Sequence, residues 1–244
     1  PETGYTGDGY LWLRSLGHKV DEASAALVPV ALKDVRVKRA AGATLSDAKI
    51  TIFQNNVKQS QGRGKVLFTH VGLSGPGILN MSREIGELLK YGAVEIEIDT
   101  VPNMGYEKVN TELQTAFKEH HNKKIRNALR NVASPILVPL ILDGAKINQE
   151  KPCNSISREE RIRLLKELKH VRFEVKGLLG LDKAIITAGG VDLGEVDFKT
   201  MRSRLFSNLY LVGDILNINR PSGGYSLQLC WTTGFVAGSS AAKK

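Results

Sequence analysis

The spacing of the hydrophobic residues changes along this chain, and the change limits the folds that it can adopt. From about residue 26 to residue 100, apolar and polar residues alternate, which predicts β-strands that are buried on one face. Asn55-Asn56 and Gly62-Arg63-Gly64 stand between alternating runs and predict turns. The pattern therefore predicts a small antiparallel sheet or barrel. Its apolar positions are Val35/Val37, Ile50/Ile52, Val66/Phe68 and Val94/Ile96/Ile98.

Helical patterns follow and interrupt the sheet. Residues 78–90 carry a helical pattern, and from about 105 to 170 the spacing predicts further helices. A capping box, from Ser157 to Glu160, opens one amphipathic helix. The apolar side of this helix is predicted to be Ile162, Leu165 and Leu168. Strand alternation then returns at Val171/Phe173/Val175.

The two ends of the chain differ from its middle. Residues 10–16 suit a short helix that Gly17 ends as a C′ glycine. Two short apolar strands are predicted, Ala184–Thr187 before Ala-Gly-Gly and Leu209–Val212 before Gly213-Asp214, and residues 225–241 predict a helix. Strands that end in glycine and an acidic residue are typical of the nucleotide-binding edge of a parallel α/β sheet.

Composition restricts the class of protein. Of the 244 residues, 42% are hydrophobic, which is enough for a buried core, and only 6% are aromatic, which predicts an aliphatic one. Residues 135–142 are apolar, but the stretch is short and contains two prolines, so no membrane span is predicted. Cys153 and Cys230 are too few for a disulfide framework or a zinc site. With no signal peptide recognised, we expect a cytoplasmic protein without a metal.

The net charge of +9 raises the question of a nucleic-acid partner. The basic residues are scattered, with one local cluster at residues 118–130 (KEHHNKKIRNALR). This cluster has no aromatic residues between its charges on which bases would stack. We therefore favour a solvated helix face and expect no nucleic acid, although a basic nucleic-acid-binding domain stays an alternative.

The segment Asn208–Gly238 combines several features of a ligand site. Gly213 leaves room for close approach, and the Asp214 carboxylate can accept hydrogen bonds from polyol hydroxyls. Gly223-Gly224 can turn the chain into the following helix, whose first turn offers unpaired N–H groups and a positive dipole end. Such an end stabilises an electron-rich group, for example the N1–C2=O region of a reduced flavin. Gln228, one turn later, can bond ligand edge atoms.

Four segments together resemble one enzyme family. They are Pro1–Tyr10 (PETGYTGDGY), Phe68–Leu79 (FTHVGLSGPGIL), Ile185–Val191 (IITAGGV) and Leu209–Trp231, which includes Gly-Gly-Tyr-Ser-Leu-Gln. In this order they resemble the BaiN-like (aminoacetone-oxidase-like) NAD(P)/FAD-dependent oxidoreductases, the HI0933-like flavoproteins. The resemblance implies an FAD-dependent oxidoreductase that transfers a hydride between flavin and NAD(P)H or a small organic substrate, with catalytic residues unassigned. The implied FAD-binding residues are Thr6, Gly7, Gly213, Asp214, Gly223, Gly224, Tyr225 and Gln228.

The family also begins with a G-x-G-x-x-G phosphate-binding turn, which this sequence lacks. The resemblance thus implies a C-terminal fragment without the N-terminal half of the FAD domain, inactive alone. A non-catalytic interaction module is a further alternative. The implied fold is mixed α+β and α/β, with a Rossmann-like FAD-domain remnant, an inserted β-barrel-like domain and a helical subdomain. The expected boundaries are 1–25 and 177–244 for the FAD domain, 26–104 for the β-rich insert, 105–170 for the helical subdomain and 171–176 for a return strand of the insert.

Individual side chains leave alternatives open. His70 is either a structural histidine that bonds nearby backbone or a group near the substrate. Arg220 faces the flavin or its substrate, or it faces solvent. Cys230 is expected to be a buried thiol, because no C-x-x-C partner exists.

Overall fold

The chain forms two compact units in a computed structural model that describes residues 6–180 and 186–243. One unit combines the residues up to Val28 with those from Leu179 onward, and the other spans Pro29–Leu178. The predicted segments Pro1–Tyr10, Ala184–Thr187 and Ile185–Val191 lie partly outside the described residues.

The described residues form strands and helices in mixed order. The strands are β1 (Val20–Ala26), β2 (Val30–Leu32), β3 (Thr44–Gln54), β4 (Val57–Phe68), β5 (Gly72–Ser74), β6 (Val94–Asp99), β7 (Val171–Leu178), β8 (Ile186–Val191), β9 (Val196–Asp197) and β10 (Arg202–Ser203). The helices are α1 (Asp8–Ser15), α2 (Pro76–Leu79), α3 (Ser82–Leu89), α4 (Tyr106–Glu119), α5 (Ile125–Ala128), α6 (Val138–Gly144), α7 (Arg158–Lys169) and α8 (Tyr225–Ala241).

The unit Pro29–Leu178 contains a closed six-stranded antiparallel barrel with strand order β2-β5-β4-β3-β6-β7. The barrel closes where β7 pairs with β2. Alternating residues of β3, β6 and β7 point inward and are fully buried, so the predicted antiparallel barrel is confirmed. The largest of these inward side chains are Ile50, Ile52, Ile96, Ile98 and Phe173.

One of the two predicted turns in the barrel is confirmed and the other is wrong. Asn55 and Asn56 have φ values of 51° and 61° and join β3 to β4 as a two-residue hairpin turn. Gly62 and Gly64, in contrast, lie inside β4, opposite β3. A Cβ atom at Gly62 would lie 2.8 Å from Met81 Sδ. These glycines therefore allow close packing on the strand rather than a turn.

The predicted strand at Val35/Val37 is also wrong. Residues Val35–Ala40 form a 3₁₀ helix, and the carboxylate of Asp34 accepts a hydrogen bond from the N–H of Arg36 at its start. The Asp34 side chain offers the backbone a local partner, which here replaces a strand ladder.

The helices α4–α7 bury their apolar sides against one core that is continuous with the barrel core. The predicted capping box of α7 is confirmed, because Ser157 and Glu160 bond reciprocally. Ile162 is exposed and Leu164 is buried, so the predicted apolar side of α7 was partly wrong. The buried side follows Leu164, Leu165 and Leu168. Ile162 lies about 200° around the helix from Leu164, at about 100° per residue.

In the other unit, α1 ends as predicted at Gly17. Gly17 has a φ of 92°, and its N–H donates to Arg14 O while the N–H of His18 donates to Leu13 O. These two bonds form the Schellman motif, in which a left-handed C′ residue satisfies the last carbonyls of the helix.

The same unit does not contain the expected parallel sheet within its described residues. β1 pairs with β8, and β9 pairs with β10, in both cases antiparallel. Leu209–Val212, predicted as a strand, forms only a single bridge between Tyr210 and Arg202, and one parallel bridge joins Val191 to Leu216. That prediction was wrong because, among the described residues, the segment pairs antiparallel only with the short strand β10, which is too short to form a longer ladder with it. The fold is therefore mixed α+β, with a six-stranded barrel and helices.

Candidate functional site

Gly213 begins the short 3₁₀ helix Gly213–Ile215 and contacts the long helix α8. Its φ is 67°, and its N–H donates to the hydroxyl of Thr233 at 2.9 Å. A Cβ atom at this position would lie 2.9 Å from the sulfur of Cys230. Glycine is required here both by the backbone conformation and by the close approach of α8.

Asp214 presents its carboxylate to solvent while a buried arginine holds it. The side chain of Asp214 is 58% exposed, and that of Arg220 is 5% exposed. Nη2 of Arg220 lies 2.8 Å from Oδ1 of Asp214, and the guanidinium also donates to Ile218 O and to the hydroxyl of Ser226. The interpretation of Arg220 as a solvent-facing residue is therefore wrong.

The chain then enters α8 through two left-handed glycines. Gly223 and Gly224 have φ values of 106° and 92°, and no atom lies within 4 Å of where their Cβ atoms would be. Gly224 is the N-cap of α8 and gives no side-chain cap bond to the first turn. Tyr225, the first residue of this 17-residue helix, is exposed. The first turn therefore keeps N–H groups that side-chain capping does not satisfy.

Gln228, one turn into α8, is exposed and uses part of its amide within the helix. Its Nε2 donates to the hydroxyl of Thr232 at 3.0 Å. The carbonyl oxygen of an amide has two acceptor positions and stays available to a ligand edge.

Thr6 and Gly7 border a cavity at the start of α1. Gly7 is the N-cap of α1 with a φ of 83°, and the hydroxyl of Thr6 donates to Asp8 at 2.7 Å. The cavity has a volume of about 320 Å³ and is lined by Thr6, Gly7, Tyr10, Leu11, Arg14 and Glu22. The phenol of Tyr10 donates to the carbonyl of Asp214 at 3.1 Å, which links the cavity to the Asp214 loop. Tyr10 belongs to the N-terminal motif Pro1–Tyr10, but this contact joins residues 204 positions apart and could not be predicted from the motif.

Asp214, Gly223 and Gly224 suit the polar parts of FAD in their chemical character. An exposed carboxylate suits the hydroxyls of a polyol, and an open glycine pair before a long helix suits an electron-rich group. The open space at Gly223 and Gly224 leaves the backbone accessible to a ligand.

A Ser–His–Glu arrangement in the same unit resembles a hydrolase triad but is buried. Nδ1 of His18 lies 2.6 Å from Glu195, and Nε2 lies 3.0 Å from the hydroxyl of Ser203. That hydroxyl also accepts from the N–H groups of Leu205 and Phe206. Because Ser203 and His18 are both buried, a substrate cannot reach them. The arrangement is a structural hydrogen-bond network.

We expect His18→Ala to lower the free energy of unfolding by about 2–4 kcal/mol, because it leaves buried polar partners unpaired and opens a cavity. Denaturant unfolding of this variant beside His121→Ala, whose side chain is exposed, is the measurement. If the free energy of unfolding changed by the same small amount in both variants, the structural role of His18 would be contradicted.

A second cavity, of about 280 Å³, lies on the outer face of the barrel beside α7. Its base is a charge network in which His170 and Arg172 contact Glu97, and Lys169 contacts Asp99 at 2.6 Å. Burial raises the pKa of Glu97, but hydrogen bonds from His170 and Arg172 lower it more, so this pKa lies below its ordinary value. Lys169 also donates to the carbonyls of Val101 and Met104. These polar groups satisfy one another, so the network stabilises the loop before α4.

The Phe68–Leu79 signature has a structural explanation in the barrel. A Cβ atom at Gly72 would lie 1.9 Å from Val30 O, and Gly75 has a φ of 89°. His70 is exposed at the tip of the turn in which Thr69 N–H donates to Gly72 O. Among the described residues, the side chain of His70 makes no hydrogen bond to the backbone, so its interpretation as a structural histidine that bonds nearby backbone is not supported.

The cysteines are not paired with each other. Cys153 is buried, which raises the pKa of its thiol, and Cys230 is half-buried in α8. Among the described residues, no helix is long and apolar enough to cross a membrane, and no group of three or more His, Cys, Asp or Glu residues could hold a metal ion.

Known proteins are similar to this chain over most of its length. Residues 24–186 match the protein family described as HI0933-like protein barrel and H2TH domain. The 3-dehydro-bile acid delta(4,6)-reductase of Clostridium scindens is 30% identical over 242 residues, which are 99% of this chain and 59% of the relative. Two ribosomal RNA dihydrouridine synthases are also similar. That of Haemophilus influenzae is 27% identical, over 100% of this chain and 58% of the relative. The synthase of Escherichia coli is 26% identical, over 97% of this chain and 56% of the relative.

Proposed function

The chain belongs to the family of HI0933-like proteins, and from this premise we propose that it forms part of an FAD-dependent oxidoreductase. It spans between 56% and 59% of the length of the curated relatives that it matches. The complete protein, meaning this chain with the residues that its relatives carry beyond the match, would then hold the cofactor. Bound FAD would supply hydride transfer, and this chain would bind and orient it.

The observation that carries this proposal is the joint position of Asp214 and the start of α8. One guanidinium, that of Arg220, contacts both the Asp214 carboxylate and the Ser226 hydroxyl in the first turn of α8. A hydroxyl-accepting carboxylate and an uncapped helix N-terminus therefore lie within reach of a single ligand. Thr6, Gly7, Gly213, Gly223, Gly224, Tyr225 and Gln228 are proposed as further FAD contacts.

The exposed face of α8 supports the proposal that another part of an FAD domain packs there. Leu227, Trp231 and Phe235 follow i, i+4, i+8 spacing and are 58%, 66% and 76% exposed. Large apolar side chains on one helix face normally lie in an interface. Residues 1–25 and 177–244 would thus be the remnant of a Rossmann-like domain. The inserted segments would be 26–104, 105–170 and 171–176.

The redox chemistry is testable on the complete protein. We expect it to purify with a flavin absorption spectrum, to release FAD on heating, and to lose its yellow colour anaerobically when NADPH, NADH or an organic substrate is added. A protein that carried no flavin after reconstitution would favour a non-catalytic interaction module instead.

The names of the relatives point to two classes of substrate. One relative acts on a bile acid, which favours a small unsaturated organic substrate here. Two others act on ribosomal RNA, so RNA is a second candidate, although the scattered basic residues do not lead us to expect it; the net charge of +9 is compatible with a polyanionic substrate. In the basic segment 118–130, Lys118 and Lys123 are exposed, whereas Lys124 and Arg126 contact Glu150. Salt-dependent binding of an rRNA fragment would favour RNA over a small molecule.

A further inference from the structure

We propose that Arg220 is a positioning residue for FAD binding, whose buried guanidinium holds the Asp214 carboxylate beside the first turn of α8. The inference rests on the proposed function and deepens it. It concerns a residue that the family resemblance does not assign to the cofactor site.

The contacts of Arg220 connect three parts of one loop. Its Nη2 contacts Asp214 Oδ1 at 2.8 Å, its Nη1 donates to Ile218 O at 2.9 Å, and its Nε donates to Ser226 Oγ at 3.1 Å. The segment from the end of the 3₁₀ helix to the start of α8 is thus fixed by one side chain. The planar fork of arginine makes such simultaneous bonds possible, whereas a lysine ammonium is a single point charge.

Arg220 is buried whereas Asp214 is exposed, and this difference points to a role of the pair in ligand binding. The cation lies inside the loop, while the carboxylate faces outward. A carboxylate has about four acceptor positions. Because Arg220 uses Oδ1, acceptor positions remain for hydroxyl groups of a ligand.

Holding the carboxylate in place before binding increases affinity. A side chain that is already ordered loses less conformational freedom when the ligand arrives. Without Arg220, Asp214 would have to be ordered by FAD itself. Arg220 should therefore affect FAD binding through Asp214, whereas a residue that only stabilises the loop would act independently of Asp214.

A double-mutant cycle on the complete protein separates these roles. FAD dissociation constants are measured for the wild type, Arg220→Met, Asp214→Asn and the double variant. We expect Arg220→Met to weaken FAD binding about tenfold in the wild type and less than about twofold when Asp214 is already Asn. Arg220→Lys should retain part of the affinity. Arg202→Met, a change of another arginine in the same unit that contacts Tyr210 rather than Asp214, is the matched control.

The unfolding of the four apoproteins is measured in parallel. If Arg220→Met weakens FAD binding equally in both backgrounds, Arg220 only stabilises the loop and the inference is overturned. Coupling that appears in apoprotein stability but not in FAD affinity overturns it as well. A wild type that binds no FAD refutes the proposed function itself, and the inference fails with it. Loss of the coupling between Arg220 and Asp214 in FAD affinity is thus distinguishable from loss of FAD binding itself.

Discussion

Gly72→Ala is expected to lower the free energy of unfolding by about 3 kcal/mol or more, because overpacking of this severity forces the backbone to move. An added Cβ atom would lie 1.9 Å from Val30 O and 3.0 Å from Ala31 Cα. These atoms are backbone of β2, the strand that β5 and β7 flank. The barrel therefore cannot accommodate the methyl group by turning a flexible side chain.

Gly177→Ala is the matched control for this experiment. Gly177 pairs with Ala31 from the opposite side of β2, and no atom lies within 4 Å of where its Cβ would be. We expect this variant to change the free energy of unfolding by less than about 0.5 kcal/mol. Denaturant unfolding of both variants is the measurement. Similar free energies of unfolding for the two variants would show that the close approach of the β2 backbone to Gly72 does not restrict the residue at this position.

Asp214→Ala in the complete protein is expected to weaken FAD binding by about tenfold to a hundredfold. The change removes charge-assisted hydrogen bonding to ligand hydroxyls that is worth about 1.5–3 kcal/mol in total. Fluorescence titration with FAD gives the dissociation constant. Because Arg220 loses its carboxylate, apoprotein stability should fall too, so folding of the variant is checked by circular dichroism under the titration conditions.

Asp192→Ala is the control for the loss of a carboxylate in the same unit. Asp192 accepts from the N–H of Gly194 and from Lys19, and it belongs to a different loop. Its removal should leave the FAD dissociation constant unchanged. An unaltered FAD dissociation constant in Asp214→Ala would remove Asp214 from the proposed FAD site. The turn at Gly223 and Gly224 would then be the main support for that site.

The regular elements could be predicted from the sequence where local pattern and tertiary packing agree. Ile50/Ile52 and Val94/Ile96/Ile98 alternate because one face of their strands fills the barrel. The helix at residues 225–241 was also predictable, as it matches α8. The capping box at Ser157 is a purely local signal, and local signals can be read without knowing the fold.

The failures come from residues whose role depends on distant partners. Gly62 and Gly64 appear as a turn in the sequence, yet they lie in β4 because helices pack closely on that strand. Leu209–Val212 has strand composition but forms only one bridge in the described residues. The contact of Arg220 with Asp214 depends on how the intervening loop folds back, which hydrophobic spacing does not encode.

Titration of FAD into the complete protein and into this 244-residue chain tests the central claim most directly. The complete protein should bind one FAD per chain with saturation, and this chain alone should bind it weakly or not at all, because the phosphate-binding turn would lie outside it. A complete protein that shows no saturable FAD binding, or a 244-residue chain that binds FAD as tightly as the complete protein, would contradict the account.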